Sequence, residues 1–117
     1  MTRPIITRTR AEVYQLWLDA LPSGFYTQDV GRLKRIRGFC CLGVLCDLAV
    51  RDGGPEWVDD YFLGAYTTLP KAVRIFMGLT TLEVNSLSKM NDSGIVSFPD
   101  IAKHIADHLM PKALARP

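Results

Sequence analysis

The segment Gly38-Phe39-Cys40-Cys41-Leu42-Gly43-Val44-Leu45-Cys46-Asp47-Leu48-Ala49 constrains the fold of this chain more than any other. It is apolar almost all round. A helix with that pattern belongs at the centre of a small domain rather than on its surface. The pattern predicts a helix over 39–51, stopped by Asp52-Gly53-Gly54. A strand buried on both faces is the competing reading, which the length of the run and the Gly53 stop disfavour. Gly43 inside such a helix costs about 1 kcal/mol relative to alanine. Its presence therefore predicts that another element approaches the helix closely there.

The same run holds all 3 cysteines of the chain. Three thiols cannot pair completely. Cys40 and Cys41 are adjacent, and Cys41 and Cys46 point to different faces of a helix, so bridges between them are geometrically poor. Reduced thiols are expected in the cytoplasm. The N-terminus lacks the order of basic, apolar and cleavage-site regions that marks a secretory signal. The apolar run is also much too short to span a bilayer. These features predict a cytoplasmic protein with no membrane contact. The 117 residues suit a single domain spanning 1–117, with 1–8 expected to fray. A net charge of only +2 means that any anionic partner must be met by a local patch.

Elsewhere the punctuation favours helices. Thr9-Arg10-Ala11-Glu12 reads as a capping box. Val13, Leu16, Trp17, Ala20 and Leu21 then follow at the spacing of one buried helical face, ended by Pro22-Ser23-Gly24. Pro70 opens a helix to Met77 with Gly78 at its end. Thr80-Thr81-Leu82-Glu83 is a second capping box, opening a helix through Met90 with Val84 and Leu87 inward, before a turn at Asn91-Asp92-Ser93-Gly94. Ser97 caps a last helix, Phe98 to Leu109, packed through Phe98, Ile101, Ala102, Ile105 and Leu109, with Pro111 just beyond. Between the first two helices, Phe25-Tyr26-Thr27-Gln28, the turn Asp29-Val30-Gly31 and the return Arg32 to Arg37 read as a short β-hairpin. The stretch 56–68 reads as a second hairpin or a packed loop. The expected fold is α+β and mainly helical, with about five helices around the central apolar helix and a small hairpin sheet.

The core motif from Gly38 to Cys46 resembles that of a family of small proteins encoded by tailed bacteriophages and prophages. The likeness extends in order through Trp17 with Leu21, the hairpin containing Tyr26, Gln28 and Gly31, and Leu69-Pro70 with Val73. It continues through Met90 to Gly94, and Ser97-Phe98 with Ile101-Ala102 and Ile105. The resemblance implies a phage accessory protein acting in the host cytoplasm, against a host enzyme or defence system. It assigns no catalytic residue.

Two kinds of chemistry compete for the function. In a binding protein, the basic cluster Arg32, Lys34, Arg35 and Arg37, with Tyr26 on the partner strand, would meet phosphate, a nucleotide or an acidic protein patch. Trp57 and Tyr61, with Tyr66 beside Asp59 and Asp60, add the residue types of interface hot spots. The plainer readings are a solvated edge strand and aromatics that close the core. No helix carries a basic stripe, which argues against duplex nucleic acid. In a thiol enzyme, Cys40 or Cys41 at a helix N-terminus beside Arg37 would be the nucleophile, with His104 or His108 as base. Apolar neighbours on both sides of the cysteine pair weigh against this. His104 and His108 also have the i,i+4 spacing of a zinc-binding pair, but no second ligand cluster accompanies them. The sequence therefore predicts a non-catalytic protein with no metal or cofactor, binding a host protein or an anionic small molecule through Tyr26, Arg32, Lys34, Arg35, Arg37, Trp57 and Tyr61.

Overall fold

The computed structural model describes residues 8–117, so most of the segment expected to fray lies outside the described residues. Arg8 itself is paired to Asp52, Nε to Oδ1 at 3.1 Å. Among the described residues six α-helices form: α1 (Arg10–Ala20), α2 (Cys41–Arg51), α3 (Lys71–Phe76), α4 (Thr81–Asp92), α5 (Phe98–His104) and α6 (Met110–Leu114). Both capping boxes form as the sequence predicts, with Thr9 and Thr80 as N-caps reciprocated by Glu12 and Glu83. Ser97 caps α5.

The central helix is α2, whose residues from Cys41 to Asp47 are all buried. It packs against α1 and α4, and the C-terminal helices close over α1 and α4. Trp17, fully buried on α1, ties the two helices by donating its indole N–H to the Cys41 carbonyl at 2.9 Å. Tyr14 is buried beside it and donates to the Met77 carbonyl at 2.7 Å, a core position that the helical spacing alone does not reveal.

The fold is helical, and the predicted hairpin sheet is absent. Among the described residues the only β-type pairings are isolated bridges. The segments expected to pair with each other are separated by Phe39, which bridges to Gln28 on one side and to Lys34 on the other. Thr27 and Asp29 exchange backbone bonds with Phe39, while Leu33 accepts from the Cys40 amide. Side chains provide the remaining anchorage. Gln28 donates to the Val96 carbonyl and accepts from the Phe98 amide, both at 2.9 Å, so this segment is fixed to the connection between α4 and α5. In 56–68 the chain makes two successive tight turns, Val58 to Tyr61 and Phe62 to Ala65, each closed by a reciprocal pair of backbone bonds. That is the packed-loop alternative.

Helix boundaries also differ from the sequence reading. Helix α2 starts at Cys41 rather than Phe39, which is bridged outside it. Helix α4 runs through Asn91 and Asp92, which were expected in a turn. The last helix does not stop before Pro111. It passes through a π-turn at Ile105–Leu109 into α6, with Pro111 in the first turn of α6. Proline lacks an N–H and collides with the carbonyl four residues back in a regular α-helix, and the wider π-turn removes that conflict.

Gly43 behaves as predicted. A side chain there would collide with the Leu33 carbonyl, so the basic segment lies directly on the N-terminal turn of α2. Backbone, rather than a flexible side chain, would have to move. Gly43→Ala should therefore lower stability by about 3 kcal/mol or more in urea unfolding, well beyond its favourable helix propensity. An unchanged midpoint would mean that the contact is loose.

Candidate functional site

The basic loop is built from below. Asn91, only 1% exposed, accepts from the Cys41 amide at 3.1 Å and from Gln28 Nε2 at 3.2 Å. Its own Nδ2 donates to the Asp29 carbonyl at 2.7 Å. Asp92 accepts from the Gly31 amide at 3.0 Å, fixing a turn in which Gly31 has φ 85°. Leu33 is fully buried and its amide donates to the Tyr66 carbonyl at 2.7 Å.

With Leu33 held inward, Arg32, Arg35 and Arg37 face an open cleft of about 500 Å³ that they share with Asp29, Ile36 and Asp60. Arg35 is steadied by donating Nη1 to the Val30 carbonyl at 2.9 Å. Arg32 stands over the Tyr66 ring, 5.3 Å from its centroid. Lys34 turns away from the cleft and stands over Trp57 at 5.2 Å. None of these four cations forms an ion pair among the described residues. The two carboxylates in the cleft, Asp29 and Asp60, temper its positive field.

The structure divides the predicted aromatic surface. Tyr26 is 7% exposed and Trp57 is half-buried. They belong to a row of rings, Phe25, Tyr26, Phe39, Trp57 and Phe62, with successive centroids 5.1, 5.1, 6.2 and 5.5 Å apart. Their polar ends converge on Asp47 of α2. Tyr26 Oη donates to Oδ2 at 2.6 Å, Trp57 Nε1 to Oδ1 at 3.0 Å, and Arg51 Nε to Oδ2 at 2.9 Å. Tyr26 and Trp57 therefore support the loop and do not form its outer face. Tyr61 is exposed, its ring 5.0 Å from that of Tyr66.

Burial alone would raise the Asp47 carboxyl, but hydrogen bonds from Tyr26, Arg51 and Trp57 together outweigh it and hold the pKa below its ordinary value. Burial raises the Tyr26 phenol, and the bond to Asp47 adds to the effect. Asp47 was not among the residues picked out from the sequence. The available signal was a lone acid in an apolar helix with Arg51 one turn later, the spacing of an intrahelical ion pair.

The cysteines are structural in their surroundings. Cys40 is the N-cap of α2, its Sγ accepting from the Gly43 amide at 3.4 Å. Cys41 Sγ donates to the Leu87 carbonyl at 3.7 Å. Burial pushes the Cys40 thiol up to about 11 and the Cys41 and Cys46 thiols well above their ordinary value. A helix N-terminus favours the thiolate, yet desolvation dominates here. His104 and His108 lie together with ring centroids 5.1 Å apart, and no hydrogen bond links either to a thiol. Burial and the charge of His108 both lower the His104 pKa. Among the described residues no group of three or more His, Cys, Asp or Glu side chains is placed to hold a metal ion. No helix among them is long and apolar enough to cross a membrane.

Fold and surface together define a small helical domain that displays a basic loop on its central helix. Residues 9–82, more than half of the chain, match the family described as a domain of unknown function, DUF8296, and the chain belongs to that family. The matched span includes the basic loop, the Asp47 cluster and both tight turns, while Asn91 lies outside it. No curated protein and no solved structure matches the chain.

Two outcomes follow from this geometry. Asp47→Ala removes the acceptor of the buried Tyr26 hydroxyl and of the half-buried Trp57 indole, and should cost about 3 kcal/mol in urea unfolding, with Asp47→Asn costing less. Because the folded Asp47 pKa is depressed, its contribution is present above the unfolded carboxylate value and is lost as pH falls through the folded one. An acid titration of stability should thus be shallower in Asp47→Asn than in the unmodified protein. The thiols should react with a disulfide reagent near neutral pH only at rates set by unfolding. Rapid modification of one native thiol would contradict the burial of the cysteine run.

Proposed function

We propose that this chain is a non-catalytic binding protein, a phage-type accessory factor of the host cytoplasm, which presents its basic loop to an anionic partner. The partner is a host protein or an anionic small molecule, and the effect comes from occupying a site or sequestering a ligand. The observation that carries this reading is the set of arginines, Arg32, Arg35 and Arg37, around one cleft with no ion pair among the described residues, on a loop pinned by buried hydrogen bonds. Loops fixed to a rigid scaffold are where binding residues concentrate. Exposed Tyr61 beside Tyr66 and Arg32 supplies the aromatic and arginine character of interface hot spots. A cysteine-dependent hydrolase or transferase built on Cys40 or Cys41 has the burial of both thiols against it.

Reversing the charge at Arg32, Arg35 and Arg37 tests the reading, because these side chains are exposed and their contacts, Arg35 with the Val30 carbonyl and Arg32 with the Tyr66 ring, lie at the surface and outside the core. Partners retained from host cytoplasm by the unmodified protein should be lost from the variant, while its melting temperature stays unchanged. Retention should also weaken steeply with salt. An unaltered set of partners would place the site elsewhere on the molecule.

A further inference from the structure

We infer that the partner of the basic loop is a protein whose acidic surface surrounds an apolar pocket, and that Ile36 is the side chain that enters the pocket. The inference rests on the proposed binding role of the loop and narrows it to one class of partner.

Ile36 is 100% exposed and sits among the cleft arginines. It occupies the tip of a tight turn whose ends are held together, Arg35 N to Gly38 O at 2.8 Å and Gly38 N to Arg35 O at 3.3 Å. Behind the turn, Gly38 is buried so closely under Thr27 that a side chain would collide with the Thr27 carbonyl. A fully exposed isoleucine on a fixed turn is preorganised for contact, since little freedom remains to be lost on binding. Arg35 and Arg37 flank it in sequence and line the same cleft. An apolar centre within a charged rim is the anatomy of a protein interface.

The neighbouring turns extend the same chemistry. Val58 is 70% exposed, and Leu63 is 48% exposed with φ 50°, a left-handed conformation that branched side chains rarely adopt. Residues 58–66 are joined to the basic loop through the Leu33–Tyr66 backbone bond and the stack of Arg32 on Tyr66. Asp60 lines the same cleft as Ile36. A small phosphate ligand would leave Ile36, Val58 and Leu63 without a role and would meet repulsion from Asp29 and Asp60. A protein can satisfy all of them at once, with acids for the arginines, donors for the two aspartates and a pocket for the isoleucine.

The test is to select peptides from a random display library on the full-length chain and to measure their binding in solution beside inorganic pyrophosphate and ATP. The expected result is enriched peptides that combine acidic residues with a large apolar residue. Their affinity should fall about tenfold or more in Ile36→Ser and in the double variant Arg35→Glu/Arg37→Glu, each melting like the unmodified protein. Selected peptides that bind Ile36→Ser undiminished would overturn the anchor. Arginine-dependent binding of pyrophosphate or ATP, with no acidic peptide enriched, would overturn the inference while leaving the basic loop as an anion site. Binding of neither peptides nor anions would overturn both.

Discussion

The loop that carries the arginines depends on the buried side-chain amide of Asn91, which joins the start of α2 to the end of α4. Asn91 fills its hydrogen-bonding capacity on four partners, accepting from Cys41 and Gln28 and donating to Asp29 and to the Asp92 carboxylate. In doing so it satisfies an amide in the first turn of α2 that would otherwise be buried without a partner. It also fixes the start of the basic loop against the end of α4. A loop without a strand ladder must be ordered against roughly 1–2 kcal/mol of backbone entropy per residue. Here that ordering comes from a few buried polar bonds together with the burial of Tyr26, Leu33 and Gly38.

A second set of contacts is closed by charge. The Arg10 guanidinium collects carbonyls from the C-terminal ends of two helices, Phe76 at 2.6 Å and Ala113 at 2.7 Å, and reaches Arg116 at 2.8 Å. A cation at these positions complements unsatisfied carbonyls and the negative ends of both helix dipoles. Arg116 in turn bonds both oxygens of Glu83, the carboxylate that completes the α4 capping box. The first helix, the end of the third, the start of the fourth and the end of the sixth are thereby coupled. Glu83 is held below the ordinary carboxylate range chiefly by Arg116, so this closure weakens with acid in the same sense as the Asp47 cluster.

Local signals were legible where they were chemically complete within a few residues. The two capping boxes, the apolar α2 and the packed face from Phe98 to Leu109 need only neighbouring residues to be recognised, and all appear. Gly43 announced a close approach but not the identity of the approaching strand of chain. What could not be read is chemistry that depends on distant partners. Asn91 lies fifty residues from the amide it caps and reads in sequence as an ordinary turn residue. The strand-prone residues from Phe25 to Gln28 and the turn at Asp29-Val30-Gly31 suggest a hairpin, yet whether two such segments pair depends on what lies between them, and here it is Phe39. Tyr26 and Trp57 looked like interface aromatics because their polar ends find Asp47 only after folding.

The cysteine run therefore contributes to the candidate site through shape rather than reactivity. Its thiols are desolvated, and its glycine admits the Leu33 backbone to the surface of α2. Any side chain at position 43 would lift the basic segment off the helix, separating Leu33 from the core and the Arg35–Gly38 turn from its support. Close packing beneath the loop is what allows apolar and cationic side chains to stand outward at defined positions. On a mobile segment the exposed Ile36 and the arginines beside it would have to be ordered on binding. On a loop held by Asn91, Asp92 and the Leu33–Gly43 contact, that ordering has already been met by folding.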